Sequence, residues 1–191
     1  MGEKRALIGP KEESIWHFVD LPDYFSLTSI AFSLLSMDLS IKGEFEWAVF
    51  FIFISGLLDS FDGMVARFIN RRGQFGAELD SIADVVAFGV APAVFGYCIG
   101  LSRPLDFILL TFFVLSSALR LARFNIMKVA GDYFIGIPTT SNGFVIPLLF
   151  FILKLSEANW AVYQVVFLCW FAFATIMMIS TLKVPKPHIG G

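Results

Sequence analysis

The residues able to do chemistry are concentrated in one stretch. It reads Asp59-Ser-Phe-Asp62-Gly63-Met-Val-Ala66-Arg67, then eight residues, then Gly76-Ala-Glu-Leu-Asp80-Ser-Ile-Ala-Asp84. On a helix, Asp59, Asp62, Gly63, Ala66 and Arg67 fall at i, i+3, i+4, i+7 and i+8, which is one face. Gly76, Asp80 and Asp84 fall at i, i+4 and i+8, a second stripe. The polar run Asn70-Arg71-Arg72-Gly73-Gln74 separates them. Two helices joined by so short a turn lie antiparallel, and that arrangement brings four carboxylates into one cleft.

The flanks of the stretch are apolar, from Trp47 to Leu58 upstream and from Val85 to Leu101 downstream. The carboxylates therefore sit at or inside a membrane, where ionisable groups are costly and mark function. Four aspartates carry a charge of −4, which two divalent cations balance. Carboxylates without neighbouring His or Cys suit a hard cation, Mg2+, Mn2+ or Ca2+. A two-metal site clamps phosphate oxygens and stabilises attacking and leaving groups. Gly63 and Ala66 let a bulky ligand approach one helix closely, and Gly76 opens the facing helix in the same way. Arg67 can pair a phosphate through two hydrogen bonds. One carboxylate can remain as a general base.

The elements that position these groups follow from composition. Of the 191 residues, 57% are hydrophobic and 23 are Phe, and the mean hydropathy is +0.77. The expectation is an all-α integral membrane protein with six transmembrane helices after a short interfacial amphipathic helix. Residues 1–21 form an N-terminal segment, in which 14–21 lies in the interface with Trp16 at headgroup depth. Residues 22–182 form the six-span domain and 183–191 a tail. The spans are placed at 24–39, 46–68, 75–101, 104–127, 139–155 and 159–182. The first and fifth are short for a hydrocarbon core of about 30 Å. They are extended by polar residues that face the protein interior. Pro138 and Pro147 break or kink the fifth beside a cavity. The Phe-rich runs are read as lipid-facing bulk.

With six spans, eleven basic residues fall on one side and three (Lys42, Arg103, Lys154) on the other. The bias puts both termini and the aspartates on the cytoplasmic side. The polar first fourteen residues do not read as a cleaved signal peptide. Cys98 and Cys169 sit in apolar runs and read as packing residues, not a disulfide. Gly96-x-x-x-Gly100 reads as a helix-contact motif or as tight packing within one protomer.

The pattern D-x2-D-G-x2-A-R-x8-G-x3-D-x3-D is matched without gap or substitution, and it resembles the signature of the CDP-alcohol phosphatidyltransferase family. The resemblance implies that Asp59, Asp62, Asp80 and Asp84 bind two metal ions. It implies that Asp62, Gly63, Ala66, Arg67 and Gly76 line a CDP pocket, and that Asp84 is the general base. An acceptor hydroxyl would attack the β-phosphorus of a CDP-lipid and CMP would leave. The family is also typically homodimeric. Many members open the first span with Pro-Asn-x-x-Thr near the nucleotide. Here Pro22-Asp23-Tyr-Phe-Ser26 stands instead, so Asp23 and Ser26 take those places.

The runs Glu78–Pro92, Arg120-Leu-Ala-Arg123-Phe-Asn125 and Phe134-Ile-Gly136-Ile-Pro138 resemble the phosphatidylserine synthase branch of that family. That resemblance implies L-serine as the acceptor and either CDP-diacylglycerol or CDP-archaeol as donor. Arg120 and Arg123, at i and i+3, could hold a serine carboxylate or a phosphate, and Asn125 could accept an ammonium. Inositol phosphate or glycerol phosphate could use the same arginines. A cation transporter built on intramembrane acids is the reading from another class. No nucleic-acid partner is expected.

Overall fold

The computed structural model describes residues 19–69, 74–127, 133–181 and 183–185; within these, residues 21, 62–63, 65–69, 74, 127, 133–135 and 183–185 are described by backbone alone. Of the interfacial helix expected at 14–21, residues 14–18 lie outside them, while Val19 and Asp20 are non-helical and Leu21 opens the first helix. Seven α-helices follow in order: α1 Leu21–Ile41, α2 Phe45–Ile69, α3 Gln74–Val85, α4 Ala91–Cys98, α5 Pro104–Met127, α6 Asn142–Leu155 and α7 Trp160–Ile179. A π-helical turn, Val86–Val90, joins α3 to α4, so the two form one rod. Among the described residues the helices make six rods, α1, α2, the α3–α4 rod, α5, α6 and α7. Among the described residues, four stretches are long and apolar enough to cross a membrane, where six spans were expected: Pro22–Ile41, Phe75–Cys98, Pro104–Ile126 and Trp160–Ile179. Helix α2 has 25 residues but carries the acids in its second half. Helix α6 has 14 residues and contains Pro147. Among the described residues, the departure from the all-α expectation is a three-residue antiparallel pair, β1 Tyr133–Ile135 with β2 Lys183–Pro185.

Helix α1 starts at the Asp20 N-cap with Pro22 in its first turn, where a missing N–H costs nothing. The Asp23 carboxylate accepts the Asp20 N–H at 2.8 Å. Ser26, Ser29, Ser33, Ser36 and Ser40 form a buried stripe at spacings of three and four. Small side chains let α1 and α2 approach closely. Ser36 Oγ donates to the Ala48 carbonyl at 2.8 Å, and Ser33 and Ser55 hydroxyls meet at 3.3 Å. The serines of the first span thus face inward, whereas Thr28 and Asp38 are exposed. Gly43, at φ +79°, makes the left-handed turn into α2.

The core occupies the half of the bundle away from the acids. Phe95, Phe113, Phe167 and Phe171 are fully buried. Phe113 and Phe171 meet edge to face at 4.9 Å, as do Phe95 and Phe167 at 5.4 Å. The reading of the Phe runs as lipid-facing bulk is therefore corrected: Phe53, Phe107 and Phe112 are exposed, but these four build the core. A Cβ on Gly96 would lie 2.6 Å from the Phe171 ring, so that glycine serves packing within the protomer. Both cysteines are free thiols.

Candidate active site

Helices α2 and α3 flank residues 70–73 and carry the aspartates. One carboxylate oxygen from each of Asp59, Asp80 and Asp84 lies within 4.8 Å of the others. Asp84 is buried and the other two are half-buried. Like charges held this close in a partly dry site repel strongly. An all-oxygen donor set of this width fits a hard divalent cation, whose bonds to oxygen run about 2.0–2.6 Å. The fourth aspartate, Asp62, is on the helical backbone of α2 three residues after Asp59, and its side chain lies outside the described set, as do those of Ala66 and Arg67 and the surroundings of Gly63.

Gly76 opens α3 toward α1. A Cβ there would come 2.6 Å from Asp23 Oδ1, and Asp23 is buried. The space left by the missing side chain is thus occupied by a carboxylate that also caps α1. Ser26 lies one turn further along α1 and is buried.

The three residues expected to hold the acceptor separate. Arg120 is buried, lies within coulombic reach of Asp84, and donates from Nη1 to Thr139 Oγ1 at 3.0 Å. Arg123 instead donates to the carbonyls of Met178, Ile179 and Ser180 at 3.2–3.4 Å. It closes the C-terminus of α7, where a cation is favoured by the exposed carbonyls. Asn125 donates to Ser81 Oγ at 3.0 Å and so ties α5 to α3 between Asp80 and Asp84.

Asn142 was not singled out by the sequence. Pro92 has no N–H for the carbonyl four residues before it, that of Phe88. Asn142 Nδ2 reaches that carbonyl at 3.3 Å. A Cβ on the neighbouring Gly143 would lie 2.6 Å from the Phe88 ring. The π-turn one helical turn after Asp84 is therefore held from α6. Such turns recur at functional sites. The signal available was the polar run Thr139-Thr-Ser-Asn142 at the head of an apolar span.

The profile of CDP-alcohol phosphatidyltransferases matches residues 19–179. The chain belongs to the CDP-alcohol phosphatidyltransferase family. It is 32% identical over 178 residues to the archaetidylserine synthase of Methanothermobacter thermautotrophicus, across 92% of this chain and 73% of that one. It is 35% identical to the CDP-diacylglycerol–serine O-phosphatidyltransferase of Saccharomyces cerevisiae, across 73% of this chain and 58% of the yeast protein. The Helicobacter pylori protein of the same name is 33% identical, across 86% of this chain and 71% of its own length. Membership of an enzyme family sets the cation-transporter reading aside.

Proposed function

We propose that this chain transfers a phosphatidyl-type group from a CDP-lipid, CDP-diacylglycerol or CDP-archaeol, to the hydroxyl of L-serine and releases CMP. The observation that carries the reading is the convergence of Asp59, Asp80 and Asp84 in a family of phosphatidyltransferases, with relatives named for transfer to serine. Asp59, Asp62, Asp80 and Asp84 would hold two Mg2+ or Mn2+ ions, with Ca2+ a further candidate. When bound, such a pair clamps phosphate oxygens and stabilises the charge that builds on them. Asp84 takes the proton of the serine hydroxyl. The serine oxygen forms a bond to the β-phosphorus, the bond from that phosphorus to the CMP oxygen breaks, and CMP leaves. Asp62, Gly63, Ala66, Arg67 and Gly76 line the nucleotide pocket, with Asp23 and Ser26 at its α1 edge. Arg120 serves the acceptor. Arg123 and Asn125, engaged with α7 and Ser81, position α5 around it.

In the bilayer, α2 and α6 join the four long apolar stretches as six spans, with residues 14–21 in the interface. The basic residues place both termini and the site in the cytoplasm, and the working unit is a homodimer. The test is CMP release from CDP-diacylglycerol and CDP-archaeol by purified protein with Mg2+ or Mn2+, with serine, inositol phosphate or glycerol phosphate in separate reactions. Release that requires serine and metal is expected. Release with a phosphorylated alcohol alone would keep the chemistry and replace the acceptor. No release by folded, metal-loaded protein would overturn the reading.

A further inference from the structure

Among the described residues, four buried side-chain polar atoms have no hydrogen-bond partner, and three of them fall together: Ser117 Oγ, Arg120 Nε and Asn142 Oδ1. Ser117 is 0% exposed, Asn142 1% and Arg120 9%. Buried polar atoms are nearly always satisfied, because leaving one without a partner forfeits the hydration it had when unfolded. Three in one place mark a position that something polar fills.

The geometry defines that position. Ser117 and Arg120 are one turn apart on α5. Thr139 and Asn142 are one turn apart where a short 3-10 turn, Thr139–Ser141, leads into α6. The bond from Arg120 to Thr139 ties the two pairs together. Ser117 also lies against the rod of α3 and α4: a Cβ on Gly89 would be 3.1 Å from its hydroxyl. The Asn142 amide is oriented by its donation to the Phe88 carbonyl, so the atom left over is the acceptor, Oδ1. Phe88 is one turn beyond Asp84, and Arg120 is within coulombic reach of that carboxylate. The place therefore lies within range of the charge of the group assigned above as the base.

The two ends make opposite demands. Arg120 Nε–H is a cationic donor and calls for an anion. Asn142 Oδ1 is an acceptor and calls for an N–H or O–H. A phosphate group presents acceptors only, so a phosphorylated alcohol meets Oδ1 only by giving up a second hydroxyl to it. An amino alcohol has no anion for the arginine. A β-hydroxy-α-amino acid supplies a carboxylate, an ammonium and the attacking hydroxyl on adjacent carbons. Resting on the transferase reading above, we propose that Ser117, Arg120 and Asn142 form the acceptor pocket, with Arg120 holding the carboxylate and Asn142 Oδ1 holding the α-amino group.

The test uses three acceptors with the full chain, CDP-lipid and Mg2+: L-serine, 3-hydroxypropionate, which lacks the amino group, and ethanolamine, which lacks the carboxylate. The wild type should prefer serine over each analogue by at least about tenfold in kcat/KM, the scale of a lost hydrogen-bonding group in a polar site. Asn142→Ala should raise the serine KM about tenfold and abolish the preference over 3-hydroxypropionate while keeping that over ethanolamine. Arg120→Gln should do the reverse. The KM for CDP-lipid should stay within about twofold in both. Ser117→Ala removes no hydrogen bond within the chain, so it keeps the test open if either other variant fails to fold, and it should raise the serine KM by about threefold. Variants that weaken all three acceptors in proportion, or leave the serine KM unchanged, would overturn the assignment while the transferase reading stands. A wild type inactive with serine would overturn both.

Discussion

The two halves of the rod formed by α3 and α4 are built on opposite terms. Around Phe95 every neighbour is a partner: its ring meets Phe45 at 5.9 Å, Phe150 at 5.9 Å and Phe167 at 5.4 Å, all near edge-to-face. Eleven residues earlier, about 16 Å along a helix, Asp84 shares a cleft with two more carboxylates. Beside it lie three orphaned polar atoms on α5 and α6. The aromatic half gains from each contact it makes within the chain. The acidic half holds three carboxylates close together, a concentration of charge that a bound cation offsets. The π-turn Val86–Val90 sits between them. A wider turn shifts the phase of the residues on either side, so the acid stripe and the aromatic stripe need not share one helical register.

The contrast breaks most sharply at Asp84. Asp84→Ala should lower CMP release by about 10^3-fold or more, the scale of losing a positioned base. In metal-free detergent its melting temperature should change by no more than a few degrees, because the variant loses repulsion from Asp59 and Asp80 together with the attraction to Arg120. A drop in melting temperature with turnover kept would mean that Asp84 is structural. Phe113→Ala is the mirror experiment. Removing a fully buried ring that meets Phe171 at 4.9 Å should cost about 3 kcal/mol or more. For a chain of this size that lowers the melting temperature by about 6–12 °C. The serine KM of the folded fraction should be unchanged. If KM moves as well, the two halves are mechanically coupled through the rod.

The acidic half was more legible in the sequence than the aromatic half. Carboxylates at helical spacing between apolar flanks leave few arrangements, and Asp59, Asp80 and Asp84 meet as their spacing requires. The inward serines of α1 were readable too, since a polar stripe in an apolar span has nowhere else to go. The division of the phenylalanines between lipid and core was not. Lipid and core are equally apolar, so periodicity carries no contrast between them. Nor could spacing tell Arg120 from Arg123. Their partners lie 19 and 55–57 residues away, and only the docking of α7 shows that Arg123 is taken up by its end. The tie from Asn142 to Phe88 spans 54 residues for the same reason.

Gly76 tests how far the comparison extends, with the smallest effect of the three. Family likeness assigns this glycine to nucleotide clearance, whereas the packing shows Asp23 Oδ1 2.6 Å from where its Cβ would be. Gly76→Ala should cost about 1–3 kcal/mol through that overlap, read as a lower melting temperature. The two explanations part in the double variant. If the alanine methyl acts by displacing Asp23, then Asp23→Ala combined with Gly76→Ala should melt within about 1 °C of Asp23→Ala alone, since the second change no longer meets anything. If the glycine also serves the nucleotide, the KM for CDP-lipid of the double variant stays above that of Asp23→Ala alone although the two melt together. A KM equal to that of Asp23→Ala alone would make Gly76 a seat for the α1 cap and place the nucleotide's nearest approach on Gly63 and Ala66.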